Sequence, residues 1–318
     1  MWHLEYLSKE QEDEYFNLIF SKVKEKRDCI TLKSIKQYLT NNKLKEILIS
    51  KPSDLYRNID KYKSKLFLSN KYDEVIEAKL AKNKTKTQKE LVAKYQSVFD
   101  VFDYDKFIVN NRDTSYALAK IIGQNTCVYC NRQYIFTVDD DDNNHITRPE
   151  FDHYLQKSKY PFYALSLYNL IPSCHICNSS CKGTKELSLL MNPYMTDKTD
   201  YFRFSYNIDK SGFPSSVEIM DIDIPKEIEV KELLGCFKIK EIYNYHTNIE
   251  LRDLYTFATK YSDTYLQDIL NKINQNFKFS SQEEAYRILF GTELLEKKDN
   301  NRPLSKFKRD ILKELGVI

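Results

Sequence analysis

Four of the seven cysteines stand as two Cys-x-x-Cys pairs, Cys127/Cys130 and Cys174/Cys177, with 43 residues between them. A Cys-x-x-Cys turn lets two thiolates reach one ion, and a second turn completes a closed tetrahedral zinc site. The spacing is too long for a simple finger and suits a small module pinned at both ends. A redox pair is the alternative, but two copies flanking one further motif argue against it. His175 and Cys181 are substitute ligands should one of the four fail. Inside the clamp lies an Asp152-His153 dipeptide, with Asn169 sixteen residues after the histidine and Asn178 directly behind the last cysteine. An Asp-His pair enclosed in this way suggests a second metal, used for chemistry.

Composition sets the frame around that module. A chain of 318 residues, 42% hydrophobic and 30% charged, has room for one to three modules and a core that needs no disulfides. The remaining Cys29, Cys181 and Cys236 make the cysteine count odd, which argues for a reducing compartment. No apolar run is long enough to span a membrane. The first residues are acidic where a secretion signal would be basic and then apolar, so a cytoplasmic location is expected. The net charge of +3 confines any nucleic-acid surface to a local patch.

The flanks read as mainly helical. Tyr15, Phe16, Ile19, Phe20 and Val23 recur at three- and four-residue intervals, as a helix with one buried face requires. Pro52-Ser53-Asp54 is a helix start, and the stretch before Gly123 reads as a short helix ending there. Lys79, Lys82, Lys84, Lys86, Lys89 and Lys94 form either a solvated helix face or a phosphate-contacting surface. After the cysteine module, alternating residues around Lys210-Ser211-Gly212 predict a hairpin. Helical spacing returns from about residue 230, with stops at Gly291 and Gly316. Tyr243, Tyr245, Tyr255 and Phe257 are read there as core packing. The chain thus divides into a helical region 1–120, a central module 121–195, and a hairpin-plus-helix region 196–318. The expected class is α+β.

Within the module, the segment around Asp152-His153 has strand character, the apolar run to Cys174 supplies a second strand, and the residues from Asn178 begin or lie on a helix. Strand, strand and helix around one divalent ion make a ββα-metal arrangement. These residues, Asp152-His153, Asn169 and Asn178 between two cysteine pairs, resemble the HNH endonuclease family. The resemblance spans about 60 of 318 residues. Gln156 departs from it, since many relatives have proline before the Lys157-Ser158 pair.

That resemblance implies hydrolysis of phosphodiester bonds, in DNA for most relatives, with structured RNA as the alternative substrate. His153 is then the general base, because only imidazole has an unperturbed pKa near neutrality. Asp152 and Asn178 hold a Mg²⁺ or Mn²⁺ ion through oxygen ligands, and Asn169 orients the loop bearing the base. Lys182 and Lys185 are candidates for the phosphate backbone. Glu150, two residues before Asp152 on the same strand face, is a further carboxylate near the site, whereas His145 and Asp139 to Asp142 read as a solvated turn. More widely, the first cysteine pair, the segment from Phe151 to Pro161 and the C-terminal stretch from Arg302 resemble HNH proteins of Septu-type bacterial anti-phage systems. There the nuclease is encoded beside an ATPase of the SMC/ABC kind. This chain has no phosphate-binding P-loop, so any ATP hydrolysis belongs to another subunit. The flanks are then expected to serve mainly as a docking scaffold. A solitary restriction-type or homing nuclease and an inactive zinc-ribbon binding module are the competing readings.

Overall fold

The computed structural model describes residues 2–68, 71–142, 144–196, 200–260 and 282–318, together with Asp268 and Lys272. The helical spacing read between residues 261 and 281 otherwise lies outside the described residues. Among the described residues no helix is long and apolar enough to cross a membrane.

Among the described residues, eight α-helices precede the module: α1 (Lys9–Asp28), α2 (Lys33–Tyr38), α3 (Asn41–Ile49), α4 (Pro52–Arg57), α5 (Ile59–Leu66), α6 (Tyr72–Leu80), α7 (Lys86–Val101) and α8 (Arg112–Ile122). Their starts are written locally. Ser8 with Gln11 and Thr85 with Gln88 form reciprocal capping boxes at α1 and α7, and Pro52 opens α4. Gly123 closes α8 at φ +65°, a conformation that costs glycine nothing. Tyr15, Ile19 and Val23 are buried where α1 packs on α3, α7 and α8, while Phe16 and Phe20 are half-buried against each other. Lys79 leaves the lysine cluster by lying over the Phe99 ring.

Among the described residues, three two-stranded antiparallel sheets follow: β1 (Val138–Asp139) with β2 (His145–Thr147), β3 (Glu150–His153) with β4 (Leu170–Ser173), and β5 (Arg203–Ile208) with β6 (Pro214–Met220). The β3–β4 register sets Glu150 opposite Ser173 and His153 opposite Leu170. A short, wide helix with five-residue hydrogen bonding, Ile176–Lys182, runs beside β3. The β5–β6 turn is held by Asp209, whose Oδ1 accepts from the Ser211 and Phe213 amides, with Gly212 at φ +81°. Helices α9 (Glu227–Cys236), α10 (Ile239–Asn244), α11 (Arg252–Lys260), α12 (Gln282–Phe290) and α13 (Ser305–Glu314) complete the chain. The molecule is α+β. Tyr243 is buried and Tyr255 and Phe257 half-buried, but Tyr245 is 85% exposed, against its reading as core.

Both flanks meet on the first cysteine turn. Four successive carbonyls there are taken by remote donors: Val128 by the Trp2 amide (3.1 Å), Tyr129 by the Trp2 indole (2.7 Å), Cys130 by the Tyr243 hydroxyl (2.7 Å) and Asn131 by the Leu304 amide (2.6 Å). Buried carbonyls must find such partners. Asn131, at φ +47°, aims its amide at the carbonyls of Asp299 and Arg302. The C-terminal helix is anchored in turn by buried Lys306 and Arg309, which share Asp200, while Arg309 also pairs with Asp299.

Replacing Tyr243 by Phe removes one of these donors and leaves the Cys130 carbonyl unsatisfied. The fold should survive with a loss of about 1–3 kcal/mol, read as a lower urea midpoint at unchanged slope.

Candidate metal centre and adjoining cleft

The four cysteines of the two pairs converge. All are buried, and their Sγ atoms lie within 4.8 Å of one another. A tetrahedral zinc–thiolate site with bonds of about 2.3 Å has sulfur–sulfur edges of roughly 3.8 Å, and Cys130 and Cys174 lie 4.0 Å apart. Each pair sits in a turn closed by its own backbone, Asn131 N–H to the Cys127 carbonyl and Asn178 N–H to the Cys174 carbonyl. The Arg132 and Cys177 amides point at the Cys130 and Cys174 sulfurs (3.5 Å each). The cluster could hold a metal ion such as zinc, and four thiolates would leave it no open position for a substrate.

Along β3 and the wide helix opens a cleft of about 530 Å³, lined among others by Tyr104, Arg148, Glu150, Asp152, His153, Lys157 and Asn178. His153 is half-buried on its wall. Its Nε2 is 2.9 Å from the Ala164 carbonyl, which can only accept, so Nε2 carries the proton and Nδ1 keeps the lone pair. Burial pushes the pKa of this imidazole down to about 3, outweighing the opposing bond to Ala164, and the ring is neutral near pH 7. The edge of the Tyr104 ring packs against it, centroids 4.4 Å apart.

Asn169 closes the loop between His153 and Ala164. Its Oδ1 accepts from the Leu155 amide (2.7 Å), and its Nδ2 donates to the carbonyls of Leu155 and Tyr163 (3.0 Å each). The helical region buttresses the same loop from outside, through Tyr15 to the Leu165 carbonyl, Ser166 to the Ile47 carbonyl and Tyr163 to the Leu55 carbonyl.

Asp152 and Asn178 take different partners. The Asp152 carboxylate is 3% exposed, with Oδ1 2.8 Å from the Lys182 ammonium and Oδ2 2.6 Å from the Tyr129 hydroxyl. Burial, with the Asp152 carboxylate adding to it, holds the Tyr129 pKa well above the phenol range, so Tyr129 remains a donor. Lys182 also donates to the His153 carbonyl at 2.9 Å. This corrects the reading of Lys182 as a backbone-phosphate contact: its side chain is 1% exposed and its charge is matched inside the protein. Lys185 is exposed and donates to the Cys181 carbonyl. The nearest cations on the cleft wall are instead Arg148 and Lys157.

Asn178 reaches Glu150. Its Nδ2 lies 2.8 Å from Glu150 Oε2, the Ser179 hydroxyl is 3.3 Å from the same oxygen, and His175 Nδ1 is 2.7 Å from Oε1. The spacing of His175 and Asn178, three apart on one helical turn, is the one sequence signal that joins them. Nothing in the sequence ties Tyr104 or Tyr129 to this site, because neither contact follows a local period. His145, read as part of a solvated turn, is instead on β2, stacked on Tyr116 and hydrogen-bonded to Asp139 of β1 and Asp113 of α8.

Lys182→Met should strand the Asp152 carboxylate in the interior and cost about 3–5 kcal/mol, with the Asp152→Asn/Lys182→Met double variant regaining much of it in denaturant unfolding. No family model matches this sequence, and neither the curated proteins nor the solved structures contain a match to it.

Proposed function

We propose that the chain is a metal-dependent endonuclease of the HNH kind that hydrolyses phosphodiester bonds, in DNA foremost. The observation that carries the reading is His153: an imidazole on a cleft wall, its Nε2–H fixed on the Ala164 carbonyl and its lone pair on Nδ1. Hydrolysis needs a water stripped of its proton, and Nδ1 receives it. The Ala164 carbonyl then stabilises the imidazolium that forms. Asn169 holds the base and that carbonyl in one loop geometry, which is the orientation a reacting water requires. Arg148 offers positive charge to the phosphate backbone, and Lys157 can join it by exchanging its Asp105 partner for a phosphate. The carboxylate, amide and imidazole donors around Asn178 suit a divalent ion such as Mg²⁺ or Mn²⁺, which supplies charge neutralisation at the scissile phosphate and leaving oxygen. Zinc in the cysteine cluster has a structural part in this scheme.

The wider role proposed is that of the effector nuclease in a bacterial anti-phage complex with an SMC/ABC-type ATPase. It is supported by the sequence resemblance and by the low net charge of the chain. Affinity for duplex grows with the number of phosphates neutralised, so a partner that delivers the substrate would make up for the shortage.

His153→Ala should abolish nicking of supercoiled plasmid in Mg²⁺ or Mn²⁺, a loss of about 10²–10⁴-fold, with zinc content and circular dichroism unchanged. Wild-type turnover by that variant would sink the mechanism. Duplex binding near 0.15 M salt should be weak for the isolated chain and tighten with the ATPase; tight sequence-specific binding alone would favour a solitary nuclease.

A further inference from the structure

Building on the nuclease reading, we infer that Tyr104, which lies outside the module, is a catalytic residue whose hydroxyl donates to a non-bridging oxygen of the scissile phosphate. Its side chain is 7% exposed and lines the cleft that holds His153. Its ring packs against that imidazole, centroids 4.4 Å apart and planes at 82°. Other buried tyrosines around the His153 loop each donate the hydroxyl to a protein acceptor: Tyr15 to Leu165, Tyr129 to Asp152, Tyr154 to Ser188 and Tyr163 to Leu55. Tyr104 does not, for among the described residues nothing accepts its proton. A hydroxyl taken out of water without a partner costs stability. A phosphate oxygen entering the cleft supplies the missing acceptor.

The hydroxyl sits among the charges of the cleft and on a fixed support. Arg148, Asp105, Glu150 and Asp152 all act on it electrostatically, and all four line the same cleft. Burial pushes the phenol pKa up, with the three carboxylates adding to it against Arg148, so the group remains a donor at neutral pH. Tyr104 begins a short wide helix, Asp105–Val109, in which Phe107 and Ile108 are buried and the Lys106 amide is capped by Asp103 at 3.0 Å. A donor on packed backbone meets developing charge without reorganising, which is how a phosphoryl transition state is stabilised. In the reaction the water proton passes to His153 Nδ1, and the phenol keeps its own. The N-terminal helical region thereby contributes a group to the chemistry itself.

Tyr104→Phe removes the hydroxyl and keeps the ring; Tyr104→Ala removes both. Because the hydroxyl has no protein acceptor, Tyr104→Phe should unfold at the same or a higher urea midpoint. Its rate of nicking supercoiled plasmid at saturating protein should fall by about 10²-fold, with the limb of the pH–rate profile set by His153 unmoved. Binding is read apart from cleavage: in the His153→Ala background, Tyr104→Phe should weaken binding of a short DNA duplex by about 10-fold. Unaltered nicking and unaltered duplex affinity in Tyr104→Phe would overturn the inference, even beside a damaged Tyr104→Ala, since the ring would then be packing alone. A slower Tyr104→Phe with a shifted His153 limb would overturn it too, because the hydroxyl would then act through the imidazole. The two readings fail separately. Nicking that Tyr104→Phe leaves intact sinks only this inference; an unaltered chain that never nicks, yet binds duplex through the hydroxyl, sinks only the nuclease.

Discussion

Everything in the central module hangs on the backbone of the first cysteine turn. Four consecutive carbonyls, Val128 to Asn131, are capped from Trp2, Tyr243 and Leu304, the two ends of the chain and a helix between. A turn that gathers thiolates around one ion exposes its carbonyls outward, and buried carbonyls without donors are costly. Here the donors are the flanks themselves. The turn is thereby the junction of three regions that the sequence presents as separate, and the buried Arg309 and Lys306 that anchor the C-terminal helix stabilise it at one remove.

A second dependence runs from the N-terminal helices to the cleft. The loop that carries the Ala164 carbonyl is built from two single 3-10 turns, Pro161–Tyr163 and Leu167–Asn169. It is fixed by Asn169 inside and by hydrogen bonds with α1, α3 and α4 outside, from Tyr15 to Leu165, Ser166 to Ile47 and Tyr163 to Leu55. Tyr104, from the same region, packs on the His153 ring. The flanking helices therefore shape the candidate base directly, beyond any part they have in docking.

Charge is sorted by depth along one strand. In the buried middle of β3, Asp152 is neutralised by Lys182 and accepts from the Tyr129 hydroxyl; at the half-exposed first residue, Glu150 faces an imidazole and an amide. Inside the protein, a carboxylate is tolerated only with a cation and further hydrogen bonds. At the cleft, the His175, Asn178 and Ser179 side chains surround the Glu150 carboxylate without a lysine or arginine among them.

The sequence alone determined what local chemistry can write. The two Cys-x-x-Cys turns, the capping boxes at Ser8 and Thr85, the stop at Gly123 and the hairpin turn at Gly212 each depend on residues a few positions apart. The strand character around His153 was legible in the same way, whereas Asn169 was singled out only by the family resemblance. Partner choice was not. Lys182 looked like a surface lysine because its distance from Asp152, thirty residues along the chain, follows no period; only the packing of the wide helix on β3 buries it. Trp2 and Leu304 likewise carry no mark of their bonds to the cysteine turn. Such contacts are selected by which buried groups remain unsatisfied once the elements pack, and that condition exists only in the folded chain.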